Sequence, residues 1–522
     1  MEEETKKKLA RIAMMLCAAA GVLSLVIFIP QVREMIIGLG ERYVGRPLTH
    51  EVWHGRFIKL ELLFLACAAA AFIGLRLIVF AVQQHTDVYT LFQSRLKTVT
   101  DEAWAHYMAL TVFVFVLCVL HFCLAPSNDD VNYFNHALQD TAYLDFLKLR
   151  YDNWSSRLII ETVLVHCYAF NFGLWRVLDV VALVVIAESL VYICVPQKKY
   201  AVFVYAVILF CTDWHSLHSA GWGATTVNYL WPLAASMPAF VIAKKIHDGL
   251  PISKKAIVGS LPFLVFATNQ EQVCAWLFGL SLSFLLYRIV KNRRLTKNDS
   301  YIIISVLICA ASLVFILTCP GNNRRFIVEI NNWFPQYTSL SFFEKVQLGV
   351  LTIFTYYCSL RSNMVIVPLC ILLTVVLRAK SKRLFFTQVI LDVFIPLNAI
   401  LRVLLGEKWL LANNKLPQFA DFSSLAVICE CTFLLIVGIM FLCQIVVAFG
   451  TKSKGLCNAF LLIAGFCSAF IIAFSPTVYA SGSRCYLFLS YTMFFVAFNL
   501  MSDYFVGKQG EQVSSHPQYI SR

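Results

Sequence analysis

Apolar runs of roughly twenty residues, each closed by a short polar or basic stretch, recur along most of the 522-residue chain. A helix of about 18 or more apolar residues is long enough to cross a hydrocarbon core of about 30 Å. Ala10 to Ile29, Leu60 to Val82, Tyr107 to Leu124, Tyr301 to Leu317 and Leu425 to Val447 all qualify. The full pattern predicts spans at 10–30, 59–82, 107–125, 175–194, 200–213, 227–243, 255–268, 272–290, 300–319, 363–378, 384–404, 423–449, 456–475 and 484–504. The expected architecture is an all-α, polytopic transmembrane helical bundle of about fourteen spans. Two further apolar segments, 156–172 and 346–360, cannot both span without inverting the basic clusters between them. They are read as juxtamembrane or re-entrant helices. The first carries Arg157, Glu161 and His166, which a lipid-facing helix tolerates poorly and a cavity-lining half-helix accepts.

Composition agrees with this pattern. The chain is 59% hydrophobic and only 14% charged, with a mean hydropathy of +0.72, where soluble domains run about 45–50% apolar and about 25% charged. The net charge of +13 does not point to nucleic acid, because the basic residues fall in short clusters at the ends of apolar runs. These clusters are Lys6 to Lys8, Lys198-Lys199, Lys244-Lys245 with Lys254-Lys255, Arg288 to Lys297, Arg378 to Arg383, and Lys452 with Lys454. Placing them all in the cytoplasm puts both termini inside. One loop breaks the rule: Arg33, Arg42, Arg46, Arg56 and Lys59 fall outside in this scheme. The first run is long and lacks a small-residue cleavage site, so it reads as a signal anchor. Most of the eighteen cysteines lie inside apolar runs as small hydrophobes, and Cys429 with Cys431 lacks the partners of a metal site. The matches to a glycosylation acceptor at Asn153-Trp154-Ser155 and Asn298-Asp299-Ser300 are short enough to be chance.

The orientation uses Lys and Arg alone, and the unusual polar motifs then all fall outside. They are Ser127-Asn128-Asp129-Asp130, Asp152-Asn153-Trp154-Ser155-Ser156-Arg157, Trp214 to His218, Gly221-Trp222 and Asn228-Tyr229-Leu230-Trp231-Pro232. Thr268-Asn269-Gln270-Glu271 follows in a tight turn, Pro320-Gly321-Asn322-Asn323-Arg324-Arg325 opens a long loop, and Ser475-Pro476 with Arg484 caps the last turn. Two adjacent carboxylates at a membrane surface, with arginines, aromatics and amides nearby, suit transfer of a sugar from a lipid-linked phosphate. Phosphate is a weak base and leaves without an acid, so one carboxylate that takes the acceptor's proton suffices. The expected base is Asp129 or Asp130, and Arg157, Arg324, Arg325 and Arg484 are candidates to hold the phosphate. Trp154, Trp222 and Tyr229 could stack on sugar faces, while Glu161, Asn228, Asn269, Glu271 and Asn322 could read hydroxyls. Each has a plainer alternative: a helix cap for the aspartates, a turn for Pro320-Gly321-Asn322, headgroup contacts for Arg324 and Arg325, and an aromatic belt for Trp222 and Trp231. His215 and His218 lack a third ligand and do not read as a metal site.

On these motifs, across residues 105 to 340 and the turn near Arg484, the chain resembles the GT-C class of multi-pass membrane glycosyltransferases, most of all bacterial members that modify O-antigen or other surface glycans. The resemblance implies a bacterial inner-membrane enzyme with its site facing the periplasm or exterior, an aspartate base in the first outer loop, juxtamembrane helices, and a polyprenyl-phosphate sugar donor. The acceptor would be a glycan or a lipid-linked molecule, with membrane lipids around the bundle and no nucleic-acid partner. The class includes metal-dependent members, so a divalent cation (Mg or Mn) is compatible with it. The implied organisation is two accessory helices in 1–104, a catalytic core in 105–340, further helices in 341–504 and a disordered cytoplasmic tail in 505–522. Two other readings compete. A transporter or flippase of lipid-linked saccharides would use mid-membrane charges such as Asp179, Glu188, Asp392 and Glu430. A surface-polysaccharide polymerase or ligase would consume lipid-diphosphate oligosaccharides.

Overall fold

The structure is a computed structural model that describes residues 103–514 except 170–171, 196–197, 294, 297, 358–362 and 406–423. The described residues are helical almost throughout and contain no strand beyond one isolated bridge, Ser219 to Gly221. Among them, seven helices are long and apolar enough to cross a membrane. In chain order the principal helices are α1 (Ala103–Phe122), α2 (Tyr143–Asn153), α3 (Leu158–Ala169), α4 (Phe172–Cys194), α5 (Ala201–Cys211), α6 (Trp222–His247) and α7 (Lys254–Thr268). They continue as α8 (Glu271–Asn292), α9 (Asp299–Thr318), α10 (Pro320–Trp333), α11 (Phe342–Tyr357), α12 (Asn363–Lys380), α13 (Lys382–Leu405), α14 (Leu425–Ala448), α15 (Lys452–Phe470) and α16 (Leu487–Ser514).

The seven are α4, α6, α8, α9, α14, α15 and α16. Five more of the predicted spans are also helical, as α1, α5, α7, α12 and α13. Two of these are short. At 1.5 Å per residue, the 11 residues of α5 and the 15 of α7 reach about 17 and 23 Å, less than a hydrocarbon core. The predicted spans at 10–30 and 59–82, with the irregular basic loop between them, lie outside the described residues. Both segments read as juxtamembrane are helical, as α3 and α11.

Three stretches differ from expectation. The segment after Asp130 holds an unforeseen helix, α2, whose buried Phe146 and Arg150 lie one turn apart on its inner face. The long loop expected from Pro320 is α10: Pro320 occupies the first turn, where its missing N–H costs nothing. The tail expected to be disordered is helical through Ser514, and residues 515–522 lie outside the described region. Lys508, Gln509, Glu511 and Gln512 favour helix there, against Gly507 and Gly510, and no proline interrupts the segment before Pro517.

Helices start where the sequence supplies caps: Ser253, Gln270, Ser424 and Thr451 each accept a hydrogen bond from a first-turn N–H of α7, α8, α14 and α15. Helix α8 packs on α9, α4 and α7 on α6, and α15 on α14 and α16, while α8–α15 and α4–α16 contacts join the two halves. Large apolar side chains remain outward-facing, including Phe115, Val290 and Leu317, as expected of a bundle solvated by hydrocarbon. Ion pairs mark one end: Lys244–Asp248, Arg288–Asp299 and Lys454–Asp503. The loops bearing the polar motifs meet at the opposite end and hold one another there.

Candidate functional site

The two aspartates have different fates. Asp130 is fully buried. Its Oδ1 accepts from the Ala224 N–H at 2.8 Å, and its Oδ2 from the Ser127 and Gly223 N–H groups at 3.2 and 3.3 Å. It therefore caps the first turn of α6, where N–H groups would otherwise be orphaned and the helix dipole favours a negative charge. Gly221 makes this approach possible. Its φ of +105° suits glycine, and a Cβ there would lie 2.5 Å from the Ser127 carbonyl oxygen and 2.6 Å from Asp130 Cγ. Asp129, the neighbour, keeps solvent exposure and accepts no side-chain hydrogen bond from the described residues. The protein around it still removes enough water to raise its carboxyl above the ordinary 3.8, an effect that Arg484 and then Arg150 partly offset.

The arginines divide in the same way. Arg157 is committed: its Nε donates to Glu271 Oε1 and Oε2 at 3.0 and 2.7 Å, and its Nη1 to Asn228 Oδ1 at 3.1 Å. Its guanidinium also stands over the buried Tyr229 ring at 5.5 Å. Burial works against this cation, but Glu271 and Tyr229 outweigh it and leave its pKa raised. Glu161 forms a two-pronged buried pair with Arg150. Arg150 in turn lies over the rings of Tyr133 and Trp154, at 5.2 and 5.6 Å, and donates to Tyr133 Oη. Arg325 covers Trp154 at 5.4 Å, so this indole contacts two guanidinium groups. Arg324 is exposed and donates to Asn153 Oδ1. Arg484 differs: it has no hydrogen bond or ion pair with the described residues, and its Nε–H is buried without an acceptor.

The expected amides act on backbone. Asn269 Oδ1 accepts from the Ile159 and Ile160 N–H groups at 3.0 Å each, and its Nδ2 donates to the Ser156 carbonyl. It caps α3 from the turn before α8. Asn322 joins Ser156 to the Ile316 carbonyl, and beside it Gly321 packs so closely on α2 that a Cβ would meet Trp154 N at 2.5 Å. Trp222 lies 5.0 Å from the His218 ring, which shares a 2.8 Å hydrogen bond with Ser127 Oγ. Trp231 is no belt residue; it is buried and donates to Asp179 at 2.6 Å.

Asp129 thus lies in the field of Arg484 and Arg150, and Arg150 shares the Trp154 ring with Arg325, forming one polar patch. Arg157, Glu271, Asn228, Asn269, Asn322, Asp130 and Glu161 form the frame beneath it. Sequence reasoning missed Arg150 and Asp213. A basic residue on the Phe146 face of α2 was the available signal for the first. Asp213 accepts from Ser216 N–H at 3.2 Å and from Tyr356 Oη at 2.7 Å, and Ser216 Oγ also hydrogen-bonds Ser483, next to Arg484. Its only sequence signal was its place just before a Trp-His-Ser turn. Among the described residues no three His, Cys, Asp or Glu side chains are grouped to hold a metal ion. The Asp130 oxygens face N–H donors, an environment unsuited to a cation. Comparison with protein-family models, curated proteins and solved structures returns no match.

Proposed function

We propose that this protein is a membrane glycosyltransferase that moves a sugar from a polyprenyl-phosphate donor to a glycan or lipid-linked acceptor at the polar end of the bundle. The observation that carries this reading is Asp129, an exposed carboxylate that accepts no hydrogen bond from the described side chains, in the field of Arg484, whose Nε–H finds no acceptor among the described residues. The acceptor hydroxyl oxygen attacks the anomeric carbon while its proton passes to Asp129. The bond from that carbon to the phosphate oxygen breaks, and the polyprenyl phosphate leaves with the electron pair, inverting the centre. Arg484 neutralises the departing charge, with Arg325 and Arg324 at the rim. Trp154, held by Arg150 and Arg325, offers a flat face for a sugar ring.

The same reading places the bundle in a bacterial inner membrane, with both termini in the cytoplasm and the site outside. A transport reading asks for charges that line a path. Here Asp179 accepts from Trp231 and pairs with His121, Glu188 accepts from Tyr205, and Asp392 accepts from Thr374 and Gln388, so three of the four acids are tied to local partners, while Glu430 on α14 makes no hydrogen bond or ion pair with the described residues. The test is mass spectrometry of surface glycan and of extracted polyprenyl-phosphate sugars from cells carrying the wild-type protein, Asp129→Asn or no copy. Asp129→Asn is expected to match the deletion: unmodified glycan and accumulated donor lipid at normal protein level. Full glycan modification by Asp129→Asn would sink the assignment of the base.

A further inference from the structure

A cavity of about 210 Å³ lies within the bundle, lined by residues of α4, α6, α8, α9, α15 and α16. Its wall is mostly hydrocarbon, with Leu233, Met237 and Phe240 on α6 facing Leu277 and Phe284 on α8. Four of the five hydroxyls on it are engaged within the protein. Ser305 donates to the Tyr301 carbonyl and Thr492 to the Phe488 carbonyl, Tyr491 shares a hydrogen bond with Thr212, and Tyr301 Oη accepts from Ser260. The fifth, Ser281, makes no hydrogen bond with the described residues. The partly exposed Ala243 and Phe284 form the edge of the cavity, on the side of the end marked by ion pairs.

The lining leads directly into a basic cluster at that end. Residues three or four apart share a helix face. On α6 the stripe Leu233, Met237, Phe240 continues as Lys244 and His247, and on α8 the stripe Leu277, Ser281, Phe284 continues as Arg288 and Lys291. The two faces meet there. The His247 ring lies 6.4 Å from that of Phe284 and 6.2 Å from that of Tyr287, and Lys244, Arg288 and Lys291 are all close enough to act on its charge. These cations are not all answered. Lys244 pairs with Asp248 and Arg288 with Asp299. Lys291 and Lys245 form no ion pair with the described residues, and their ammonium groups stand over the Tyr287 and Tyr192 rings at 5.3 and 5.7 Å. An unfilled apolar volume destabilises a fold in proportion to its size. Water is poorly suited to fill it, since it needs two to four polar partners and the wall offers one unengaged hydroxyl. A hydrocarbon chain suits the cavity, and an anion suits the surplus positive charge beside its edge.

We propose that α6 and α8 form a binding site for an anionic diacyl phospholipid from the leaflet at the ion-pair end, with one acyl chain entering the cavity past Ala243 and Phe284 and the phosphate held by Lys291 beside Lys244 and His247. The site lies at the end opposite Asp129 and is independent of the transferase reading. The test is native mass spectrometry of the purified protein titrated with phosphatidylglycerol and with phosphatidylethanolamine of identical chains. Wild type is expected to bind phosphatidylglycerol on the order of ten-fold more tightly, and Lys291→Gln to lose about five-fold of that preference, the worth of one basic residue at a membrane surface. Lys452→Gln, at the start of α15 at the same end, should keep the full preference. Ala243→Phe, which narrows the edge, should weaken both lipids. Glycerol 3-phosphate and inorganic phosphate, which bring the anion without a chain, should not displace the bound lipid. Equal wild-type affinity for the two lipids overturns the proposal, as does a preference that survives Lys291→Gln or falls equally in Lys452→Gln. Displacement by the chain-free phosphates would leave a headgroup site without the cavity, and displacement by polyprenyl phosphate would assign the cavity to an isoprenoid chain; either result also overturns it.

Discussion

Replacing Asp130 by Asn separates the framework carboxylate from the one proposed as base. The Asp130 carboxylate accepts three N–H bonds of 2.8, 3.2 and 3.3 Å while fully buried. Asparagine retains one acceptor oxygen and turns an NH2 group toward at least one of those N–H donors. Losing a charge-assisted bond costs about 1.5–3 kcal/mol, and the N–H left facing a donor adds a desolvation cost of about 1–3 kcal/mol. Loss of the negative charge at the start of α6 removes about 0.3–1 kcal/mol more. Relaxation of the loop recovers part of this, and the expected net destabilisation is about 3 kcal/mol. Asp129→Asn touches no side-chain hydrogen bond and is expected to change stability by about 0.5 kcal/mol or less. Gly221→Ala should resemble Asp130→Asn, because its φ of +105° and the 2.5 Å approach to the Ser127 carbonyl leave no room for a methyl group. Thermal unfolding in detergent, followed by tryptophan fluorescence, measures all three variants. The reasoning fails if Asp130→Asn unfolds no earlier than Asp129→Asn.

Three further outcomes follow from the same geometry. Arg484 holds the Asp129 carboxyl down against the effect of burial, and a base works only when deprotonated. In Arg484→Gln the acid limb of the kcat/KM profile should therefore move to higher pH, with a fall in kcat/KM on the order of 10²-fold; an unmoved limb would refute their coupling. A double-mutant cycle of Arg157→Gln and Glu271→Gln should give a coupling of about 1–2 kcal/mol in unfolding free energy, reduced from a fully buried pair by the partial exposure of Glu271. Asn269→Ala should cost about 1 kcal/mol and speed amide exchange at Ile159 and Ile160, the two N–H groups it accepts from; unchanged exchange there would remove its capping role.

Much of the helical content was legible because hydropathy alone sets it: a run such as Tyr301 to Leu317 has no other stable form in hydrocarbon. Helices α2 and α10 were not legible, because half of each is polar and their apolar faces become meaningful only against each other, where Gly321 meets the end of α2. The clustering of polar motifs at one end was readable from the basic loops. The role of each member was not. Asp129 and Asp130 are chemically identical in the sequence, and only the αL turn at Asn128 and the bend at Gly221 decide that one faces N–H donors and the other faces out. Arg157 and Arg484 likewise look equivalent until Glu271, one hundred and fourteen residues from Arg157, is found to claim the first.

This division of labour explains why the site is so rich in polar groups while so few remain free. Loops between membrane helices have short ends and no sheet to support them, so their backbone N–H and carbonyl groups must be satisfied by side chains from other loops. Asp130, Asn269 and Asn322 do this, each binding the start or end of a helix that its own segment does not contain. The pairs Arg150–Glu161 and Arg157–Glu271 then fix α2, α3 and α8 relative to one another, and the Arg157 bond to Asn228 adds α6. With α2 and α3 locked, Trp154 and Arg150 are held beside Asp129 without any bond to its carboxylate. A base must keep its lone pairs free for the substrate while its neighbours stay still. A neutral or cationic residue in place of Asp129 would leave that frame intact, so the polar end would persist as a folded surface that has lost only the carboxylate proposed as its proton acceptor.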